Sequence, residues 1–248
     1  MDEIGRFTLK NVAYLKEIRR KLLFAVGFFL VVFLGSFFMA KPIIKFFLKF
    51  FYVKDVQIVI TSPFQFFGLS MSMALFLAIV ASFPLIVFQI YYFLKPALTK
   101  KERKSARRYV FASGSLFLAG FVLGIALMRF VIEMLAKLNY DLGAINMWDI
   151  NFFISQIMLT AALLGLMFQF PIVLTILIKT GMIDAGKLRE KRHIAIASSF
   201  IFSSLLPPTD ALSLIIMALP LILIYEITIF VNRKSGTRKV EAPRKVIM

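Results

Sequence analysis

The sequence contains no cysteine and only one histidine, His193, in 248 residues. The absence of cysteine excludes disulfides, thiol nucleophiles, thiolate-bound metals and iron–sulfur clusters. A single histidine cannot supply a multi-histidine metal centre. Acidic residues are also scarce, since 13 Asp and Glu accompany 30 Lys and Arg and give a formal net charge of +17. We therefore expect no metal site, and the excess of positive charge needs an explanation of its own.

Apolar side chains are present in excess. Hydrophobic residues make up 60% of the chain and Phe alone occurs 29 times, whereas charged residues make up 17%. Soluble domains contain only about 45–50% apolar residues, and a soluble fold of this size could not bury the surplus. An integral membrane protein is therefore predicted. Its basic residues then belong to loops retained on the cytoplasmic side, not to a nucleic-acid-binding surface.

Six uncharged runs predict membrane helices. They are Leu22–Ala40, Val56–Leu94, Tyr109–Met128, Ile150–Ile178, Ile194–Thr209 and Ala211–Tyr225, the last continuing past Glu226 to Val231. The first four reach the roughly 20 residues that cross a bilayer core. The fifth covers only about 24 Å, and the Pro207-Pro208 pair separates it from the sixth. The predicted fold class is an all-α polytopic membrane protein, with six transmembrane helices in a curved bundle and a short final pair.

The distribution of basic residues predicts the orientation. Of the 30 Lys and Arg residues, only six fall in predicted loops on the side of the membrane opposite to the two termini. They are Lys41, Lys45, Lys49, Lys54, Arg129 and Lys137. The positive-inside rule then places both termini in the cytoplasm, with the chain in the cell (inner) membrane. Lys41, Lys45 and Lys49 fall four residues apart among phenylalanines, which indicates a helix lying in the outer interface. Residues 1–232 form the predicted membrane domain, and residues 233–248 form a basic cytoplasmic tail that we expect to be disordered.

No enzyme motif is complete. The segment Gly181–Leu188 resembles the phosphate-loop pattern GxxxxGK[ST] but ends in Leu188, where the metal-binding hydroxyl is required. No loop is long enough to contain a nucleotide-binding domain, and one histidine at the end of a basic loop does not support a Ser–His–Asp triad. We expect no catalytic residues and no cofactor.

Two carboxylates lie at the predicted cytoplasmic edge, each within a basic segment. Taken singly, Glu17 is explained by a pair with Lys21 four residues later, and Glu102 by neutralisation from the bases around it. Taken together they indicate a receptor for paired cations. A carboxylate accepts two parallel hydrogen bonds from one guanidinium, so two carboxylates can hold two arginines.

Three more polar residues lie within or beside the last spans. Glu226 is a carboxylate inside the sixth span, where either a functional role or snorkelling to the interface explains it. Asp210 follows the proline pair and is placed to cap the last helix. Gln169 is polar within the fourth span, where a helix–helix hydrogen bond is expected.

Small residues and prolines predict how the helices pack. Gly120 and Gly124, and Ala161 and Gly165, are spaced for close helix–helix contact. Prolines fall inside three spans and should bend them; they are Pro84, Pro171 and Pro220. A fixed bundle follows from this pattern better than a central pore.

Several segments together resemble the TatC family, the membrane receptor of twin-arginine protein export. Tyr14–Leu22 corresponds to the family's opening pattern histidine–leucine–x–Glu–Leu–Arg–x–Arg–Leu. The run from Pro84 to Leu98, followed by Glu102 and Arg103, is the most specific match. Further matches are Phe168–Pro171, Pro208–Asp210 and Tyr225-Glu226.

The resemblance implies a function. Glu17 and Glu102 would bind the arginine pair of signal peptides of folded cargo, with Arg19 and Phe93 helping to shape the site. The implied partners are TatA and TatB-type single-span proteins and membrane lipid, in a homo-oligomer within a larger complex. The proton motive force would drive translocation, without a bound cofactor.

The sequence departs from the family pattern at several positions. Gln169 stands where the fourth helix usually carries Glu, so it keeps hydrogen bonding but loses charge. Tyr14 replaces the opening histidine, Thr209 replaces a proline, and Leu214 replaces a glutamine. An alternative function, a proton-coupled secondary transporter of a small solute, would depend on Glu226 and Gln169 facing a cavity.

Overall fold

The structure is a computed structural model and describes residues 3–53, 56–94, 100–179 and 183–232. The side chains of residues 3–18, 94, 100–102, 185 and 187 lie outside this description. The predicted tail, residues 233–248, lies outside it entirely. The elements of the described part are, in order, α1 (Glu3–Phe38), α2 (Ala40–Phe50), β1 (Val56–Val59), α3 (Gln65–Leu94), α4 (Lys100–Asp141), β2 (Asn146–Asp149), α5 (Ile150–Met167), α6 (Phe170–Lys179), α7 (Ala185–Glu190), α8 (Arg192–Ser204) and α9 (Ala211–Asn232).

The multi-pass helical fold is confirmed. Five stretches of the described chain are long and apolar enough to cross a membrane: Arg19–Phe38, Gln65–Phe93, Arg103–Asp141, Ile150–Lys179 and Ala211–Asn232. The fifth predicted span forms α8, which has 13 residues and is only about 20 Å long. The turn after α8 reaches α5 at its middle, because Thr160 Oγ1 donates a hydrogen bond to Pro207 O at 2.6 Å. Of the predicted short final pair only α8 is short, whereas α9 has 22 residues and is long enough to cross a membrane.

The fourth span is interrupted. α5 ends at Met167 and α6 begins at Phe170, so the break falls immediately before Pro171, whose ring prevents a regular helix in the preceding turn. In contrast, α3 continues through Pro84 and α9 continues through Pro220. The break places Gln169 outside regular helix.

Close packing of α4 against α5 follows the small residues in both helices. A Cβ atom added at Gly124 would lie 2.6 Å from Ala161 Cα, and one added at Gly120 would lie 2.7 Å from Phe168 Cγ. Gly165 is similarly close to the Phe117 ring. The distances at Gly124 and Gly120 are well inside van der Waals contact, so the small-residue spacing is required for this interface.

One end of the bundle contains a small parallel sheet that the sequence does not predict. β1 pairs with β2 over four residues, from Val56 opposite Asn146 to Val59 opposite Asp149. α2 lies at the same end and buries Ala40 and Ile44 in the main hydrophobic core. We call this the strand end. The opposite end, where α1 enters its span, α3 ends and α4 begins, is called the basic end.

Candidate functional site

At the basic end, α1 is held to the last turns of α3. Gln89 Nε2 donates a hydrogen bond to the backbone carbonyl of Lys21 at 2.7 Å. The ammonium of Lys21 also lies 3.7 Å from the centre of the Tyr92 ring, within the range of a cation–π interaction. Gln89 and Tyr92 are three residues apart and therefore share a face of α3. Two contacts thus fix the start of the first span against α3.

The beginning of α4 is held to the same part of α3. The Tyr91 hydroxyl donates a hydrogen bond to the backbone carbonyl of Arg103 at 3.4 Å. Tyr91 is 8% exposed, so this contact is largely shielded from solvent. Because Gln89 and Tyr91 are neighbours on one helix, α3 acts as the common support for the segments on both sides.

The two predicted arginine-binding acids lie on these supported segments. Glu17 is in α1, four residues or about 6 Å before Lys21 along the helix, and Glu102 immediately precedes Arg103 in α4. The side chains of Glu17 and Glu102 lie outside the described part of the structure. What the backbone shows is that both acids belong to helices anchored on the last two turns of α3.

The other two predicted site residues lie at this end with accessible side chains. Phe93 is 53% exposed, one residue beyond Tyr92 on α3. Arg19 is exposed on α1. Exposed bases on α4 add to the positive charge of this end; they are Lys104, Arg107 and Arg108. The basic end therefore combines an exposed aromatic ring with a strongly cationic surface.

Gln169 is engaged by α4. Its Nε2 donates to the backbone carbonyl of Ser113 at 3.2 Å, and the Ser113 hydroxyl donates to Gln169 Oε1. Ser113 is only 4% exposed. The amide therefore both donates to and accepts from one residue across the α4 interface, which a carboxylate could do only if protonated.

Glu226 forms an ion pair that the sequence does not reveal. Its Oε2 lies 2.9 Å from an Arg192 guanidinium nitrogen, with the two side chains 39% and 45% exposed respectively. Next to it, the Tyr225 hydroxyl donates to the Leu188 carbonyl at 2.8 Å. The pair joins α9 to the first residue of α8. Glu226 is therefore bound to a base from a neighbouring helix at the edge of its span.

Asp210 lies immediately before α9, in the turn that joins it to α8. Its Oδ2 accepts a hydrogen bond from the Ser213 backbone N–H at 2.9 Å. This is the geometry of a helix N-cap, in which a side-chain oxygen satisfies a backbone donor that has no partner within the helix.

The strand end contains a hydrogen-bonded carboxylate, Asp149, that was not predicted. Asp149 accepts hydrogen bonds from the Thr61 hydroxyl at 2.6 Å and from the Gln65 amide. Its other oxygen accepts from the backbone N–H groups of Asn151 and Phe152 at 3.0 Å. These bonds, above all the one from Thr61, lower the pKa of Asp149 to about 2, because they favour the ionised carboxylate. Asp149 thereby joins β2, the start of α5 and the segment before α3.

The described side chains offer no cluster of three or more His, Asp or Glu that could hold a metal ion. The fold and its polar contacts instead define a multi-pass helical membrane protein in which α1, α3 and α4 meet at a cationic end.

Comparison with known proteins identifies the family. The family model for Sec-independent protein translocase protein (TatC) matches residues 13–220. The chain therefore belongs to the TatC family, as its sequence motifs predict.

Individual relatives agree with this assignment. The chain is 30% identical over 232 residues to the Sec-independent protein translocase protein TatCy of Bacillus subtilis, covering 92% of this chain and 90% of the relative. It is 31% identical over 223 residues to the TatC protein of Helicobacter pylori, covering 89% and 86%. A crystal structure described as the twin arginine translocase receptor TatC superposes with a TM-score of 0.75 at 26% identity, covering 90% of this chain and 99% of that one. Relatives named as translocase components point to a transport role and not an enzymatic one.

Proposed function

We propose that this chain is the receptor subunit of a twin-arginine export system, and that Glu17 and Glu102 bind the arginine pair of the signal peptide. The observation that supports the proposal most strongly is the pair of contacts to α3. Gln89 holds the helix that carries Glu17, and Tyr91 holds the helix that carries Glu102. The similar crystal structure is itself described as a twin arginine translocase receptor.

The charge around the two acids supplies specificity. A peptide with scattered positive charges is repelled by the exposed bases of α1 and α4, and only a site with two carboxylates offsets that repulsion. Arginine is preferred over lysine because a planar guanidinium donates two parallel hydrogen bonds to a carboxylate, whereas an ammonium cannot. Arg19 limits where the guanidiniums can lie, and the exposed Phe93 ring contacts the apolar part of the peptide.

The remaining parts of the proposal follow from family membership and charge. The basic end faces the cytoplasm of a cell (inner) membrane, with both termini on that side. TatA and TatB-type single-span proteins assemble with the chain, which is present in several copies within the complex. Folded cargo crosses with energy from the proton motive force, and the chain needs no bound cofactor. Polar residues of the spans, Gln169, Glu226 and Asp210, maintain the geometry on which this assembly depends.

A crosslinking experiment tests the peptide site. A photoreactive amino acid replaces Phe93, and a labelled peptide containing the arginine pair is added to the chain in lipid nanodiscs. We expect a crosslink at Phe93 and none at Phe130, an equally exposed phenylalanine (56%) beyond the third predicted span. Glu17→Gln with Glu102→Gln should abolish the Phe93 crosslink.

The matched control removes a carboxylate elsewhere. Glu133 lies on α4 towards the strand end and is 48% exposed, so Glu133→Gln changes charge without touching the proposed site. It should leave the Phe93 crosslink intact. A crosslink that survives the double substitution, or that is lost equally with Glu133→Gln, would remove Glu17 and Glu102 from this role. A reporter fused at Gly143 should be external, and a cytoplasmic signal would contradict the orientation.

A further inference from the structure

Helix α2 presents a row of exposed lysines. Lys41, Lys45 and Lys49 are all exposed and recur every four residues, which makes a row about 12 Å long on one face. None of them forms an ion pair within residues 3–53, 56–94, 100–179 and 183–232. They account for half of the six bases predicted on this side of the membrane, which the positive-inside rule otherwise keeps poor in basic residues.

The rest of the α2 surface is apolar and forms two faces, one buried against the core and one exposed. Ala40 and Ile44 are 3% and 5% exposed and face the core together with Phe51. Phe46 and Phe50 are 65% and 41% exposed, and at about 100° per residue they occupy the arc next to the lysines. The helix therefore shows an exposed aromatic face bordered by an exposed cationic face, which is the pattern of a helix lying at a lipid–water interface.

The position of α2 places these faces at the edge of the hydrocarbon. The apolar span Arg19–Phe38 contains 20 residues and is about 30 Å long, the thickness of a bilayer core. α2 begins at Ala40, with only Met39 between it and the end of α1. Phe46 and Phe50 can then enter the acyl region while the lysines stay at the level of the phosphates.

The charge balance decides which lipid is preferred. The base next to this row is Arg129, whose guanidinium lies 5.2 Å from the centre of the Phe50 ring and is paired with Glu133 at 3.1 Å. That pair is internally neutral, so among the described residues no carboxylate pairs with the three lysines. A zwitterionic headgroup neutralises its own phosphate, whereas an anionic headgroup brings a net negative charge. We propose that α2 binds anionic phospholipid headgroups of the leaflet at the strand end, through Lys41, Lys45 and Lys49.

The single tryptophan of the chain provides a reporter. Trp148 packs against Phe153 with ring centres 5.7 Å apart, and Phe153 in turn packs against Phe51 at the end of α2, at 6.2 Å. The chain is reconstituted in vesicles that contain equal fractions of phosphatidylglycerol and phosphatidylcholine, with only one of the two brominated. We expect brominated phosphatidylglycerol to quench Trp148 more strongly than brominated phosphatidylcholine does.

Charge variants on the same side of the membrane distinguish lipid binding at α2 from a general attraction of anionic lipid to positive charge. Lys45→Gln with Lys49→Gln should reduce the preference for phosphatidylglycerol by about tenfold or more. Lys54→Gln with Lys137→Gln removes the same charge elsewhere and should leave the preference in place, as should Lys45→Arg with Lys49→Arg. Equal quenching by the two lipids in the unchanged chain, or equal losses in both glutamine variants, would overturn the proposal.

A last arm distinguishes a lipid from a soluble anion. Free glycerol phosphate is added at constant ionic strength to vesicles of the unchanged chain. If the lysines bind lipid headgroups held at the interface, the quenching by brominated phosphatidylglycerol should persist. Loss of the difference between the two lipids at millimolar glycerol phosphate would show a soluble-phosphate site and would contradict the proposal.

Discussion

Replacing Gly124 with alanine tests the close packing of α4 and α5. The new Cβ would lie 2.6 Å from Ala161 Cα and 3.3 Å from Ala161 Cβ, whereas carbon atoms in contact prefer about 3.5–4.0 Å. The closer of these two atoms belongs to the backbone and cannot rotate away. The two helices must therefore separate by about 1 Å at this level, which opens gaps beside them.

A second glycine of α4 provides the matched control. A Cβ at Gly114 meets nothing within 4 Å, so Gly114→Ala gains the same helix propensity, about 1 kcal/mol, without a clash. The difference between the two variants isolates the packing cost, which for overpacked cores is about 1–3 kcal/mol. With about 2–4 °C per kcal/mol for a chain of this size, Gly124→Ala should melt about 2–12 °C below Gly114→Ala.

The assay is thermal unfolding in detergent micelles, followed by circular dichroism or by native-gel retention. A third variant makes the test sharper, since Ala161→Gly removes only the farther of the two contacts. Combining it with Gly124→Ala should restore part of the stability but not all of it. Equal melting temperatures for Gly124→Ala and Gly114→Ala, or full rescue by Ala161→Gly, would show that the two backbones do not approach as described.

Four further substitutions test single contacts. Asp149 has its pKa lowered to about 2 in the folded chain, so its contribution to stability is complete above its ordinary pKa near 4 and is lost as the pH falls to about 2; Asp149→Asn should flatten the melting temperature over this range. Gln169→Leu and Ser113→Ala each break hydrogen bonds worth about 0.5–1.5 kcal/mol. Melting of the double variant should show that these two losses are not additive. The half-exposed pair of Arg192 and Glu226 should contribute no more than about 1 kcal/mol, so Glu226→Gln should melt within a few degrees of the unchanged chain.

The order of the apolar runs was predictable because each depends on local composition, although six spans were predicted and five described helices are long enough to cross a membrane. The ends of the helices were harder to predict from the sequence. The third span was predicted as Tyr109–Met128, yet α4 runs from Lys100 to Asp141. Charged residues such as Arg129 mark where the hydrocarbon ends, but a helix continues into water because its backbone hydrogen bonds remain satisfied there.

The contacts between distant segments were not predictable. β1 and β2 pair although some 90 positions separate them in the sequence. Each strand has only four residues, which is too short for a periodic pattern of apolar residues to be recognised. Arg192 is one of several bases in its loop, and only the packing of α8 on α9 selects it for Glu226. The support of α1 by Gln89 uses a backbone carbonyl, so no pattern of side chains reveals it.

The candidate site was predictable in part. The acids Glu17 and Glu102 stand out because carboxylates are rare in strongly basic segments. The small-residue spacing of α4 and α5 indicated that these two helices contact each other. Only the structure reveals that α3 supports the two segments that carry these acids. Tyr91 and Gln89 are ordinary residues at the end of an apolar helix, and their importance follows only from what they touch.

Titration of a labelled signal peptide tests the central claim most directly. The peptide, carrying either two arginines or two lysines, is added to the purified chain in nanodiscs, and binding is followed by fluorescence anisotropy. Hydrogen bonds to charged groups are worth about 1.5–3 kcal/mol, so Glu17→Gln or Glu102→Gln should each weaken binding of the arginine peptide about ten- to a hundredfold, and each should weaken the lysine peptide by a smaller factor because an ammonium cannot form the paired hydrogen bonds. Equal affinities for the two peptides, or an unchanged affinity after both substitutions, would contradict the account.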